Sequence, residues 1–318
     1  MEVLTMNNNF SSSSKAEMKA VLGTPGTIST AEGVIDVVYD ADLERIVQTV
    51  SPTYSYLKQV GCETAVESPK VGYRLKERKT EASFIGEAAA LPEHDPSLYT
   101  RKSATVTTIA YPIDISDIAA NDTQVIDIVQ DEIDDGMADI SKVKDDAILQ
   151  GSSATNANQF DGFTTLFTTN KTDLQKAQIS LEDLDALAQS MMDEGGSPSA
   201  VITSAAVGRR LKDLIFAKTT YMYASAQDLG FNAVAYVTPE GARIPIIIDY
   251  NLKASANGDQ LIMIDKNTIR VKEYQAPYVQ PLAKTKLSTS LVIANTMTMY
   301  CRSEQKNGFI YNINPAIE

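Results

Sequence analysis

The chain has no tryptophan, a single histidine and only two cysteines in its 318 residues, and each shortage narrows what it can do. Cys62 and Cys301 are far apart in sequence and form neither a CxxC pair nor a metal-binding spacing. They read as small buried hydrophobes of a protein made in a reducing compartment. No apolar run approaches the roughly 20 residues of a membrane-spanning helix, and "MEVLTMNNNFSSSSK" lacks the basic start and apolar core of a secretory signal. The sequence is equally short of positive charge. Its net charge of -13 opposes binding nucleic acid by neutralising phosphates and favours solubility. No GxxxxGK phosphate loop, GxSxG elbow, HExxH or GxGxxG is present. Asp249 and Asn251 could begin a calcium loop, but the later Gly and Glu that such a loop requires are missing.

With 43% hydrophobic and 22% charged residues, the composition is that of a globular protein with one large or two smaller cores. Residues 1–34 are polar and rich in Asn and Ser, an arm rather than a core element. A short helix should follow, capped by Asp40 or Asp42, with Leu43, Ile46, Val47 and Val50 on one face. Ser51-Pro52 interrupts it, and a second helical turn carries Tyr54 and Leu57. Val71, Tyr73 and Leu75 then alternate with Arg74, Lys76 and Arg78, a strand period. A return strand is expected from about Ser103 to Ile115, with Ile109, Tyr111, Ile113 and Ile115 on one face.

The strongest helical pattern runs over 122–150, with caps expected at Asn121, Asp122 or Thr123 and a stop at Gly151. Its apolar stripe is Ile126, Val129, Ile133, Met137, Ile140, Val143 and Ala147. Its other face carries Asp127, Asp131, Glu132, Asp134, Asp135 and Asp139. Those acids read as a solvated or partner-facing surface rather than a metal site, and Lys142 and Lys144 as solvated charges or partner contacts. Ser180, with Asp183 in the capping-box position, opens another helix with Leu184, Leu187 and Met191 facing inward. "SAVITS" reads as a buried strand and 204–215 as a helix. Strands follow at 231–238 and 243–250, on either side of a Pro239-Glu240-Gly241 turn. Hairpins are expected across Asp265 to Asn267 and, after a long strand from Thr289 to Ser303, at Asn307-Gly308.

Between the two early strands lies "SFIGEAAALPEHDPSLY", which holds the only imidazole. His94 would need a nucleophile and an orienting partner for catalysis, and no motif supplies one. Phe84, Ile85 and Leu91 say more. On a projecting loop they would be exposed, and soluble proteins avoid such patches unless they bind something. The alternative is a loop folded back on its own core.

The order is polar arm, short helix ending in "SPTYSYL", long two-stranded hairpin, long acidic helix, α/β segment and long C-terminal strands. It resembles the major capsid proteins of tailed bacterial and archaeal viruses with double-stranded DNA, an α+β architecture called the Hong Kong 97-like (HK97-like) fold. The resemblance implies an N-terminal arm (1–40), short N-terminal helices (41–62), an extended loop or E-loop (63–115), a peripheral domain (116–171 and 269–318) with spine helix 122–150, and an axial domain (172–268). It implies a structural protein of the virion capsid with no catalytic, cofactor or metal residues. Such a protein is made and assembled in the host cytoplasm into the hexamers and pentamers of an icosahedral shell. Implied partners are further copies of itself, separate scaffolding, portal and decoration proteins, and enclosed double-stranded DNA held without sequence readout. Contacts between subunits are expected from Arg74, Lys76, Arg78, Phe84, Ile85, Leu91 and His94 on the extended loop, and from Asp127, Asp131, Asp134 and Asp135 on the spine helix. An encapsulin-type compartment shell keeps the same fold with enzyme cargo. An α+β hydrolase built on His94 is the reading from another class.

Overall fold

A computed structural model describes residues 51–87, 93–120, 127–219, 235–252, 258–284 and 286–314. The expected helix over 42–50, the loop residues Ala88 to Leu91, the caps at 121–123 and strand residues 231–234 lie outside them.

Pro52, at the first helical position where its missing N–H costs nothing, starts α1 (Pro52–Gln59), which buries Tyr54 and Leu57 as expected. Among the described residues, twelve strands form three sheets. A four-stranded sheet has the order β1 (Glu63–Ala65), β10 (Ile269–Pro281), β11 (Ser288–Cys301), β4 (Thr107–Ser116). A two-stranded sheet is the hairpin of β2 (Lys70–Glu77) and β3 (Leu98–Thr105). The six-stranded sheet runs β5 (Lys171–Asp173), β12 (Gly308–Ile313), β9 (Asp259–Ile264), β6 (Ala200–Thr203), β8 (Arg243–Ile248), β7 (Ala235–Val237).

The expected return strand is therefore two strands. It breaks at Val106, where the chain leaves the hairpin and enters the four-stranded sheet as β4. Ile109, Tyr111, Ile113 and Ile115 do share one face, which packs against the long helix. The free hairpin is 70–105, and both ends of the expected 63–115 loop, β1 and β4, belong to the four-stranded sheet.

The long helix is α3 (Ile128–Gln150), preceded by the one-turn α2 (Asp117–Ala120). At 1.5 Å per residue it is about 35 Å long. Asp127 caps it, its carboxylate accepting from the Val129 and Gln130 amides at 3.2 Å. The helix lies close on the sheet at Gly136, where a Cβ would stand 2.6 Å from the Ile293 side chain and 2.7 Å from that of Tyr111. Two expectations for its surface fail. Val143 is exposed, whereas Lys144 and Asp145 are buried. The C-terminal half of α3 is enclosed by α1 and by α4 (Phe163–Leu166) as well as by strands, so a single-stripe pattern no longer describes what it buries.

The central strands of the six-stranded sheet, β9 and β6, are buried on both faces. Along β9, Leu261 and Met263 pack with the helices α5 (Leu181–Asp193) and α6 (Ala205–Thr219), and Ile262 and Ile264 pack with Tyr54, Leu57 and the end of α3. This is the period-2 alternation of a strand between two apolar layers. The Ser180–Asp183 capping box on α5 is present as expected. So is the 239–241 turn, with Gly241 at φ +84° and β7 paired to β8.

Neither of the last two expected hairpins forms. The chain turns at 265–268 and again at 302–307, but each turn carries it from one sheet to the other. β9 lies in the six-stranded sheet and β10 in the four-stranded one, and β11 returns to the six-stranded sheet as β12. Asn307, fully buried, ties the two crossings together. Its Oδ1 accepts from the Asp265 amide at 2.8 Å, and its Nδ2 donates to Thr268 Oγ1 and the Ser303 carbonyl, both at 2.9 Å. The close of the chain, 308–313, thus joins the sheet of the 172–268 segment rather than staying with the long helix.

Candidate assembly surface

The β2–β3 hairpin stands apart as its own sheet, and most of its residues are exposed. A two-stranded hairpin is marginal in water, so its attachments matter. At its base Tyr73 stacks on Tyr300 of β11, ring centroids 4.5 Å apart. Farther out, Thr80 Oγ1 accepts from the Asp95 amide at 2.8 Å and donates to the Asp95 carbonyl at 2.7 Å. This ties the two arms together beyond the last strand pair.

Register decides the charge on each hairpin face. Lys70 pairs with Thr105, Gly72 with Ser103, Arg74 with Arg101 and Lys76 with Tyr99. Because residues directly opposite share a face, one face carries Lys70, Arg74, Lys76 and Arg101 with no acid among them. Arg101 is the member that sequence reading missed, because strand pairing, not proximity in sequence, puts it there. Lys76 sits 5.6 Å over the Tyr99 ring. Arg78 has the same parity but follows the end of β2. Among the described residues, ion pairs join Lys144 to Glu273 and Lys284 to Asp117, and none joins a hairpin cation to an acid of α3.

Phe84 and Ile85 lie beyond the strands with their side chains in solvent, Phe84 fully so. His94, in the same loop, approaches Thr80 Oγ1 at 3.5 Å. Leu91 lies outside the described residues.

On α3, Asp127, Asp131, Asp134 and Asp135 recur at three- and four-residue steps on exposed or half-exposed positions. Asp134 accepts from Gln130 Nε2 at 2.9 Å. Like charges at this spacing repel. Among the described residues no group of three His, Cys, Asp or Glu side chains is arranged to hold a metal.

Comparison with known proteins identifies the family. A family model described as "SU10 major capsid protein" matches residues 22–314. A search of curated proteins gives no match. Among solved structures, the capsid of a native GTA particle superposes with a TM-score of 0.68 at 14% identity, covering 90% of this chain and 99% of that one. The capsid of cyanophage A-1(L) gives 0.65 at 11% identity, covering 90% and 99%. The SrpI encapsulin of Synechococcus elongatus PCC 7942 gives 0.62 at 9% identity, covering 89% and 94%.

Proposed function

The chain belongs to the SU10 major capsid protein family, and from that premise we propose how its copies are held together. It is a structural shell protein of the virion with the HK97-like fold, not an enzyme, and it assembles with itself. In the finer reading, hexamers and pentamers close an icosahedral shell around double-stranded DNA after synthesis in the host cytoplasm. Scaffolding, portal and decoration proteins are separate partners. The four-stranded sheet with α3 is the peripheral body, and the six-stranded sheet with α5 and α6 is the axial one.

The β2–β3 hairpin of one subunit lies across α3 of the next. The observation that carries this is the hairpin face of Lys70, Arg74, Lys76 and Arg101, which has no acid of its own, beside a helix with a run of acids. Each exposed pair contributes only about 0.2–1 kcal/mol, but repetition around a closed shell multiplies weak contacts. Charge complementarity sets register and excludes wrong pairings. Phe84 and Ile85 would supply the apolar part of the grip.

The test is the assembly state of purified full-length protein by sedimentation and negative-stain microscopy. Wild-type protein should form shells. Arg74→Glu with Arg101→Glu should leave folded, smaller species. Normal shells from that double variant at physiological salt would refute the contact. Nuclease-protected double-stranded DNA in particles from infected cells, as against an enzyme cargo, separates the viral reading from an encapsulin-type one.

A further inference from the structure

Two carboxyl groups are buried together at the start of α1. Asp145 of α3 and Asp249, just after β8, are both fully inaccessible. The Tyr54 amide donates to Asp145 Oδ1 at 2.6 Å, and Asn251 Nδ2 to Asp145 Oδ2 at 3.0 Å. The Thr53 amide and hydroxyl donate to Asp249 Oδ2 at 3.2 and 2.5 Å, and the Asn251 amide to Asp249 Oδ1 at 2.8 Å. Asn251 thus bridges the two carboxyls, its amide to one and its side chain to the other. With protein N–H and O–H groups aimed at these oxygens, the cluster is built for acids and not for calcium.

Among the described residues no cation neutralises the pair. Lys144 is next in sequence and buried, but its Nζ is engaged with Glu273 at 3.6 Å and Tyr54 Oη at 3.4 Å. Lys58 on α1 is exposed. Among the described residues, Tyr54, Glu63 of β1, Glu273 of β10, Asp146 and Tyr250 are the other titratable groups near the cluster, and none brings positive charge. Two carboxylates this close and this dry cannot both be ionised.

We propose that Asp145 and Asp249 share one proton, and that this proton latches the first turn of α1 onto α3 and the end of β8. Thr53 and Tyr54 are the residues held, so the latch governs how the first turn of α1 seats on α3 and the end of β8. Burial, and after it the hydrogen bond and charge of Asp249, push the Asp145 carboxyl up to about 8, which leaves the latch closed at neutral pH. Opening exposes the pair to water, where a carboxyl titrates near 4. Between those limits the closed form binds the extra proton, so the latch tightens as pH falls from about 8 toward 4 and gains nothing further outside that window.

Hydrogen exchange of the full-length protein tests this. After correction for intrinsic rates, protection at residues 53–57, relative to α5, should fall up to about tenfold per pH unit from pH 5 to 8 and level off above. Asp145→Asn, which keeps a hydrogen bond without the titration, should flatten that dependence. Protection in wild type that does not change with pH overturns the proposal, as does an unchanged slope in the variant. A second measurement needs no variant to fold. The infrared spectrum of the wild type at pH 7 should contain a protonated carboxyl band that disappears above pH 8 to 9. Its absence at pH 7 overturns the shared proton.

Discussion

Arg74 and Arg101 stand directly opposite each other across the β2–β3 hairpin, with Lys70 and Lys76 on the same face. Opposed like charges weaken an isolated hairpin, so the arrangement is costly to a free subunit and favourable only when an acidic surface covers it. If that surface is α3 of a neighbour, exchanging the charges should rescue assembly. Arg74→Glu with Arg101→Glu should fail to form shells alone and recover them when combined with Asp131→Arg and Asp134→Arg, read by sedimentation velocity. Assembly of wild type should also weaken as salt rises, because the pairs are exposed.

Phe84 and Ile85 are the apolar end of the same surface. Changing both to Asp should leave secondary structure and thermal unfolding of the subunit unchanged, because neither is packed. Shell yield should drop at least about tenfold if the pair contributes 1.4 kcal/mol or more per contact. Circular dichroism and particle counts from the same preparation check both halves.

Asn307 joins the two crossings between the sheets. Asn307→Leu would fill a similar volume but leave the Asp265 amide without its acceptor and remove the Nδ2 donor to Thr268 Oγ1 and the Ser303 carbonyl. The loss should be about 2–3 kcal/mol, the cost of buried polar groups left unpaired, measured by denaturant unfolding of the unassembled subunit.

Lys144 is buried against Tyr54, its Nζ 4.9 Å from the ring centroid, and pairs with Glu273. Desolvation holds its ammonium pKa below the usual lysine value. Lys144→Ala removes the cation, opens a cavity and leaves Glu273 with only its Asn295 hydrogen bond, and should cost about 3 kcal/mol. Lys144→Met keeps the volume and should cost clearly less. Equal losses in chemical denaturation would show that charge, not packing, sets the effect.

Several features were legible because they are local. The Ser180–Asp183 cap, the Gly241 turn, the alternation of β2 and the body of α3 each depend on residues within a few positions of one another. The turns at 265–267 and 307–308 were legible as turns only. Whether two strands joined by a turn pair with each other depends on competing partners far along the chain, and here β9 pairs with β6 and β12, and β10 pairs with β11. Lys144 was misread for a related reason. Helical periodicity places it beside the acids, but α1, distant in sequence, closes over that part of the helix.

By itself, then, the sequence determined a globular α+β chain without catalytic motifs, a projecting pair of charged strands, a long acidic helix and the family resemblance, since composition and short periods carry those directly. Tertiary structure decided where the chain changes sheets, that Arg101 completes the basic face, and that Asp145 and Asp249 meet beneath α1. Each of these is a pairing between residues brought together only by the fold, and no local pattern encodes it.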